Sequence, residues 1–217
     1  MEKKTIGLFG GRGGLGEKLI PLLKDKYNVV SPSSKMVNIT NFNDVKYFFE
    51  SNDIDIVINL SGYNFNSFIH KLDENSISEI DKIIDVNIKG CINVVTNALI
   101  KMREQKYGRI ILISSVLAEK VTLGTGLYSA SKTFTDSITK MVSAENISKN
   151  ITCNSLQLGY FDGGMTNKLP IKFAETIKES IGLKRFGDIV ELYKTIDFLI
   201  ETEYITGQNI NISGGLL

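Results

Sequence analysis

A short apolar run, Thr5-Ile6-Gly7-Leu8-Phe9, leads straight into Gly10-Gly11-Arg12-Gly13-Gly14-Leu15-Gly16 and then into a leucine-rich stretch. No other feature narrows the choice of fold as much. Glycines let the backbone turn sharply between a strand and a helix, and they let its amides approach a bulky anion. The N-terminus of the helix that follows adds a favourable dipole for a phosphate. Leu15, Leu19, Leu22 and Leu23 recur at helical spacing on one face, so the loop is flanked by the elements such a cradle needs. Gly11, Gly13 and Gly16 match the general dinucleotide spacing.

The rest of the chain continues the alternation. Asn28-Val29-Val30 reads as a second strand, and Met36 to Thr40 as a third that follows after only about five residues. Parallel neighbours usually need a crossover of a dozen or more, so no helix is expected over 31–40. A helix over 43–50 carries Val45, Phe48 and Phe49, and a near-continuous apolar strand covers 55–60. Ser76 with Glu79 reads as a capping box opening a helical region to about Arg103. Further strands fall at 109–113, 150–156 and 205–212, with Asp188 capping a helix before the last. This pattern predicts an α/β fold: a single Rossmann-like, doubly wound domain over 1–217 with a parallel sheet of about seven strands.

Composition sets limits on partners. With 42% hydrophobic and 23% charged residues and a net charge of +1, the chain is of globular type and carries no bias toward nucleic acid or anionic membrane. No uninterrupted apolar run reaches membrane-spanning length, and no signal-peptide core follows Met1, which together with two unpatterned cysteines leads to the expectation of a cytoplasmic protein. His70 is the only histidine, so a histidine triad is not expected, and no metal site is expected either.

The chemistry centres on Ser115, at the end of the 109–113 strand, and on Tyr128 and Lys132 thirteen and seventeen residues later. Residues four apart share a helix face, so the phenol and the ammonium can point into one site. A phenol titrates near 10, and a neighbouring cation is expected to lower that value toward useful proton exchange. A serine hydroxyl can hold a carbonyl oxygen beside them. At the end of the second strand, an acid would select ribose hydroxyls. This chain has Ser33 and Lys35 there instead, with Arg12 in the glycine loop, a set that suits a 2′-phosphate and favours NADP(H) while leaving NAD(H) possible.

The glycine loop, Asn59-Leu60-Ser61-Gly62, Asn87-Ile88-Lys89-Gly90, Ser115, Tyr128-Ser129-Ala130-Ser131-Lys132, Leu158-Gly159 and the terminal Gly214-Gly215 stand in an order that resembles the short-chain dehydrogenase/reductase family, from Thr5 to Gly215. Within that resemblance Gly10, Gly13 and Gly16 fit its larger, sugar-modifying members, and Gly10, Gly14 and Gly16 its compact reductases. The resemblance implies Asn87, Ser115, Tyr128 and Lys132 as the catalytic set. It implies cofactor contacts at Gly10, Arg12, Gly13, Gly14, Leu15, Gly16, Ser33, Lys35, Asn59, Ser61, Gly62, Tyr128, Lys132 and Gly159. It further implies a small-molecule carbonyl or alcohol as substrate, and a homodimer or homotetramer. Leu158 and Gly163 replace the family's usual proline and threonine, with Thr166 nearby as a substitute, and a lid is expected at about 160–186 with Met165, Leu169, Ile171 and Phe173 as its apolar groups. Alternatives are a nucleotide-sugar reductase or epimerase, and a non-catalytic dinucleotide sensor.

Overall fold

The computed structural model describes residues 3–164, 166 and 170–216. Parallel strands β1 (Thr5–Phe9), β2 (Asn28–Val30), β3 (Ile56–Asn59), β4 (Gly108–Ser115), β5 (Ile151–Leu158) and β6 (Asn209–Ile212) form a sheet in the order β2-β1-β3-β4-β5-β6. Helices α1 (Gly14–Lys24), α2 (Phe42–Ser51), α3 (Ile77–Ile83), α4 (Gly90–Gln105), α5 (Gly126–Asn146), α6 (Ile171–Ser180) and α7 (Ile189–Glu201) complete the chain, with a π-helical turn over Ile84–Lys89 joining α3 to α4.

Every residue of β3 and β5 is buried, as parallel strands covered on both faces should be. Alternate side chains feed two cores. Phe9, Val57, Ile110 and Leu112 meet Val45, Phe48, Phe49, Val94, Ala98 and Met102 from α2 and α4. Ile6, Leu8, Ile56, Ile58 and Ile111 meet Leu19, Leu23, Leu192, Ile196 and Leu199 from α1 and α7. A slip of one residue in any of these strands would exchange the two sets, so the register is firmly held. Because β2 and β3 lie on opposite sides of β1, the loops leaving β1 and β3 diverge and open a crevice at the sheet's C-terminal edge.

The expected seven strands are six, because Met36 to Thr40 does not join the sheet. Residues 31–40, all of them described, contain no helix, only a turn in which the amides of Met36 and Val37 donate to the Ser33 carbonyl at 2.9 and 3.0 Å. The missing crossover takes the third strand with it, since so few residues cannot return the chain to a parallel neighbour. Val37 and Ile39 alternate as strand residues do, yet they pack onto the α2/α4 core. Asn38 bends the chain between them and α2, accepting from the Thr40 amide and hydroxyl at 3.1 and 3.0 Å.

The capping box also sits one step earlier than expected. Asp73 accepts from the amides of Asn75 and Ser76, each at 3.1 Å, and Ser76 Oγ accepts from the Asp73 amide at 3.3 Å. Glu79, freed from capping, accepts from Lys82 at 2.6 Å and from the Tyr63 hydroxyl. The helical run Glu74–Gln105 is long and apolar enough to cross a membrane. Its face bearing Val94, Ala98 and Met102 is nevertheless buried on the sheet, which makes it a core helix.

Candidate active site

The glycine loop resolves to one register. Gly10 has a φ of +79°, and a Cβ there would lie 2.7 Å from the backbone of Leu60 and Ser61, where the β1 and β3 loops touch. A Cβ on Gly14 would collide with Gly164, and one on Gly16 with Gly11. Gly13, at φ −82°, meets nothing nearer than the Gly10 carbonyl at 3.3 Å. A Cβ on Gly11 would also be crowded, 2.0 Å from Ser31 Oγ, so Gly13 alone has room, and Gly10, Gly14 and Gly16 are the one register that does not use it. Gly13 is also the N-cap of α1, and no side chain caps that end, so first-turn amides remain available to an anion. Gly163 and Gly164 lie against Gly14 and Leu15, and Lys18 ties this strap down by donating to the Asp162 carbonyl at 2.8 Å.

Arg12 and Lys35 are exposed and Ser33 is half-buried, in loops that leave the adjacent strands β1 and β2 at the same edge. Asn59 ends β3 and accepts from the Ser61 amide at 3.1 Å, turning the chain into Gly62. A Cβ on Gly62 would stand 3.5 Å from Lys132 Nζ and 3.8 Å from Asn87 Oδ1. Gly159 is placed differently: its amide donates to the Ile212 carbonyl at 2.9 Å, holding the chain after β5 to the end of β6.

Around Gly62 the four candidate catalytic residues converge. Ser115 Oγ accepts from the Leu117 amide at 3.2 Å and is hydrogen-bonded to the Tyr128 phenol. Lys132, one turn along α5, donates to the Ile113 carbonyl at 2.7 Å, with Nζ 5.6 Å from the centre of the Tyr128 ring. Asn87 lies in the π-turn and is buried. Its Oδ1 accepts from the Tyr63 amide at 2.7 Å, and its Nδ2 donates to the Tyr63 carbonyl at 2.8 Å and to Ser131 Oγ at 2.9 Å. Ser131 in turn donates to the Tyr128 carbonyl at 2.7 Å, so the π-turn and the Tyr128 helix are joined through one amide.

Electrostatics correct one expectation. Burial pushes Tyr128 up to about 12, with only the Ser115 hydrogen bond opposing it, while Lys132 is itself pushed down to about 8 by burial. The ammonium faces a carbonyl and the ring rather than the phenol oxygen, so it does not lower Tyr128 as the four-residue spacing implies. A neutral phenol at neutral pH is a proton donor in waiting.

Three participants carried no signal of their own in the sequence. Tyr63 offers only its backbone to Asn87, Ser131 is an ordinary helix serine, and Tyr160 follows Gly159 beside Tyr128. Beyond Ser115, Val116 and Leu117 pack with Tyr160, Ala174, Ile177, Ile181, Phe186 and Leu216, so α6 covers this end of the crevice. Of the expected lid groups, Ile171 and Phe173 are exposed, and Met165 and Leu169 lie outside the described residues.

Comparison with known proteins agrees with this fold. The family model described as enoyl-(acyl carrier protein) reductase matches residues 31–217. The 3-oxoacyl-(acyl-carrier-protein) reductase of Thermotoga maritima is 33% identical over 189 residues, covering 84% of this chain and 76% of that protein. The reductase of the same description from Rickettsia felis is 31% identical over 211 residues, covering 94% and 84%. For the Staphylococcus epidermidis reductase the identity is 32% over 165 residues, and the match spans 66% of that protein, just under two thirds. In fold, the chain matches ElxO solved with NADP bound at a TM-score of 0.89 and 21% identity, covering 99% of both chains. A 3-oxoacyl reductase structure from Brucella melitensis gives 0.88 at 18% identity, covering 99% and 91%. The chain belongs to the short-chain dehydrogenase/reductase family, a class of NAD(P)-dependent oxidoreductases.

Proposed function

We propose that this chain is an NADP(H)-dependent oxidoreductase that interconverts a carbonyl and an alcohol on a small-molecule substrate. The observation that carries the reading is the Tyr128 phenol, neutral and hydrogen-bonded to Ser115, with Lys132 and Asn87 behind it and a side-chain-free cradle at the same sheet edge. The cradle fits a dinucleotide: Gly10, Gly14 and Gly16 let the loop fold tightly against Leu60, Gly164 and Gly11, Gly13 stays open beside them, and the uncapped end of α1 suits a pyrophosphate. Leu15 would add its backbone amide there, while the Gly13 amide is held by the Gly10 carbonyl at 3.0 Å, and Asn59, Ser61 and Gly62 would border the cofactor from the β3 side. The bound nicotinamide supplies or accepts the hydride. In reduction Ser115 would hold the substrate oxygen while Tyr128 gives it a proton, and in oxidation Tyr128 takes that proton back. Lys132 would present its charge beneath the phenol, and Asn87 would fix the Tyr63 turn against the Tyr128 helix.

The relatives named above favour a 3-oxoacyl group as the first carbonyl to try. NADPH oxidation over a panel of carbonyl compounds that includes 3-oxoacyl thioesters tests the reading. No turnover with any member, together with no alcohol-driven reduction of NADP, would sink it.

Cofactor preference is a separate expected result. Arg12, Ser33 and Lys35 would meet a 2′-phosphate, and a charged hydrogen bond is worth about 1.5–3 kcal/mol. NADPH should therefore bind about tenfold or more tightly than NADH, and Arg12→Ala should erase most of the gap. Calorimetry showing equal dissociation constants in the unmodified protein would count against it.

A dimer or tetramer is part of the same proposal. Ile84, Ile92 and Ile100 recur every eight residues and remain exposed, as does Met141 on α5, which supports a second copy covering these helices. Light scattering should give twice or four times the 24.1 kDa chain mass; a monomer at micromolar concentration would refute this.

A further inference from the structure

We infer that Asp136 is a positioning residue for Lys132: a buried carboxylate, fixed by Ser155 and Gln157, that keeps the ammonium of the lysine one helical turn away in its charged form.

Residues 132 and 136 lie four apart on α5 and share a face. Both are buried, with Lys132 4% and Asp136 6% exposed. A buried charge is costly unless it is paired or held by hydrogen bonds. Lys132 Nζ meets a neutral carbonyl, that of Ile113, at 2.7 Å. Asp136 is held by two donors from β5: Ser155 Oγ at 2.8 Å to Oδ1 and Gln157 Nε2 at 2.7 Å to Oδ2. Residues two apart on a strand face the same way, so Ser155 and Gln157 both turn toward α5 while Leu156 enters the α1/α7 core. Ser155 carries one proton, so its second contact, to the Asn209 amide at 2.8 Å, is satisfied when that amide presents its NH2.

The other titratable groups around Lys132 leave Asp136 as the near charge. Cys91, from α4, is pushed up to about 11 by burial and is a neutral thiol at neutral pH. Cys153 on β5 is pushed up as well, and Tyr128 and Tyr160 are raised by burial. Glu119 joins the network through Gln157 Nε2 at 2.9 Å, but it is exposed and screened by solvent. Burial drives Lys132 down to about 8, with Cys91 and Asp136 opposing it, and since the Cys91 thiol is neutral, Asp136 is the charge that does so at neutral pH. Without that charge the lysine would lose its proton within the neutral range.

The inference rests on the proposed oxidoreductase reading only for its kinetic test. The direct test follows the Lys132 Nζ titration by NMR in protein with labelled lysine, the signal being assigned by its loss in Lys132→Met. Asp136→Asn should move the midpoint about one unit toward acid, and Asp136→Glu should restore most of it. In kinetics, the alkaline limb of kcat/KM should move by the same amount, with the loss confined to that side. Asp136→Asn faces its own NH2 toward Gln157 Nε2, and Gln157 also donates to Glu119, so the triple variant Asp136→Asn/Gln157→Glu/Glu119→Gln restores the pairing, moves the charge to β5, and carries the test if the single variant does not fold. Its midpoint should lie below that of the wild type. An unchanged Lys132 midpoint overturns the inference, whether or not activity falls. A wild type that turns over no carbonyl would refute the functional reading and leave the NMR result to decide this one.

Discussion

Tyr128→Phe is expected to lower carbonyl turnover by about two to four orders of magnitude while leaving NADPH binding within about twofold. The substitution keeps the ring and deletes the one neutral hydroxyl that is both raised by burial and hydrogen-bonded to Ser115. Nothing adjacent replaces it. Ser115 Oγ already accepts from the Leu117 amide, and the Lys132 ammonium is turned to the Ile113 carbonyl. Single-turnover rates at saturating cofactor, with calorimetry for binding, separate the two effects. A residual rate within about tenfold of wild type would remove Tyr128 from the role proposed for it.

Lys132→Met should show a second large effect, this time on stability and on its pH dependence. The folded protein holds Lys132 at about 8 against 10.5 for an unburied lysine. Between those values the unfolded wild-type chain carries a proton that the folded chain has lost, so wild-type stability rises with pH through that window. The methionine variant has no such group. Cys153 and Tyr128 are raised in both proteins and cancel in the comparison, while Cys91, which the Lys132 charge lowers, rises further in the variant and adds to the wild-type gain at high pH. Measured from pH 7 to 10.5, wild type should therefore gain about 3 kcal/mol relative to Lys132→Met, read from urea unfolding. A constant difference across the window would mean that the buried lysine titrates normally. Turnover in the variant should be lost at every pH.

Much of this was legible in the sequence because it depends on local pattern. Near-continuous apolar runs gave the buried strands, period-four leucines gave α1, and Asp188 caps α7 with its own side chain as read, whereas the Asn41 cap of α2 went unread. Asn87 and Lys132 both reach Gly62, and Tyr128 lies beside Lys132 and Ser115. What stayed hidden depends on distant neighbours. Met36 to Thr40 has a strand's alternation, but a strand also needs a partner, and the chain is too short there to reach one. Three glycine registers fit the loop until Leu60, Ser61, Gly164 and Gly11 show which positions have no room for a Cβ. Spacing placed Lys132 beside Tyr128, but burial decided both proton affinities, and burial is a property of the packed whole.

The π-turn at Ile84–Lys89 has a consequence for how α3 and α4 are to be aligned or transplanted. Such a turn holds one residue more than an α-turn, and one residue is about 100° of azimuth. The two helices are therefore out of phase, although the chain runs through them without a break. Forcing Ile84–Lys89 into regular helix with no residue removed would rotate one half against the other by about 100°, whereas deleting one residue there would leave both halves in place. With α4 held on the sheet by Val94, Ala98 and Met102, the rotation would fall on α3 and carry Glu79 away from Tyr63. A gapless graft of residues 77–105 from a relative with a regular helix would make the same error, turning a sound sequence match into a mis-set angle.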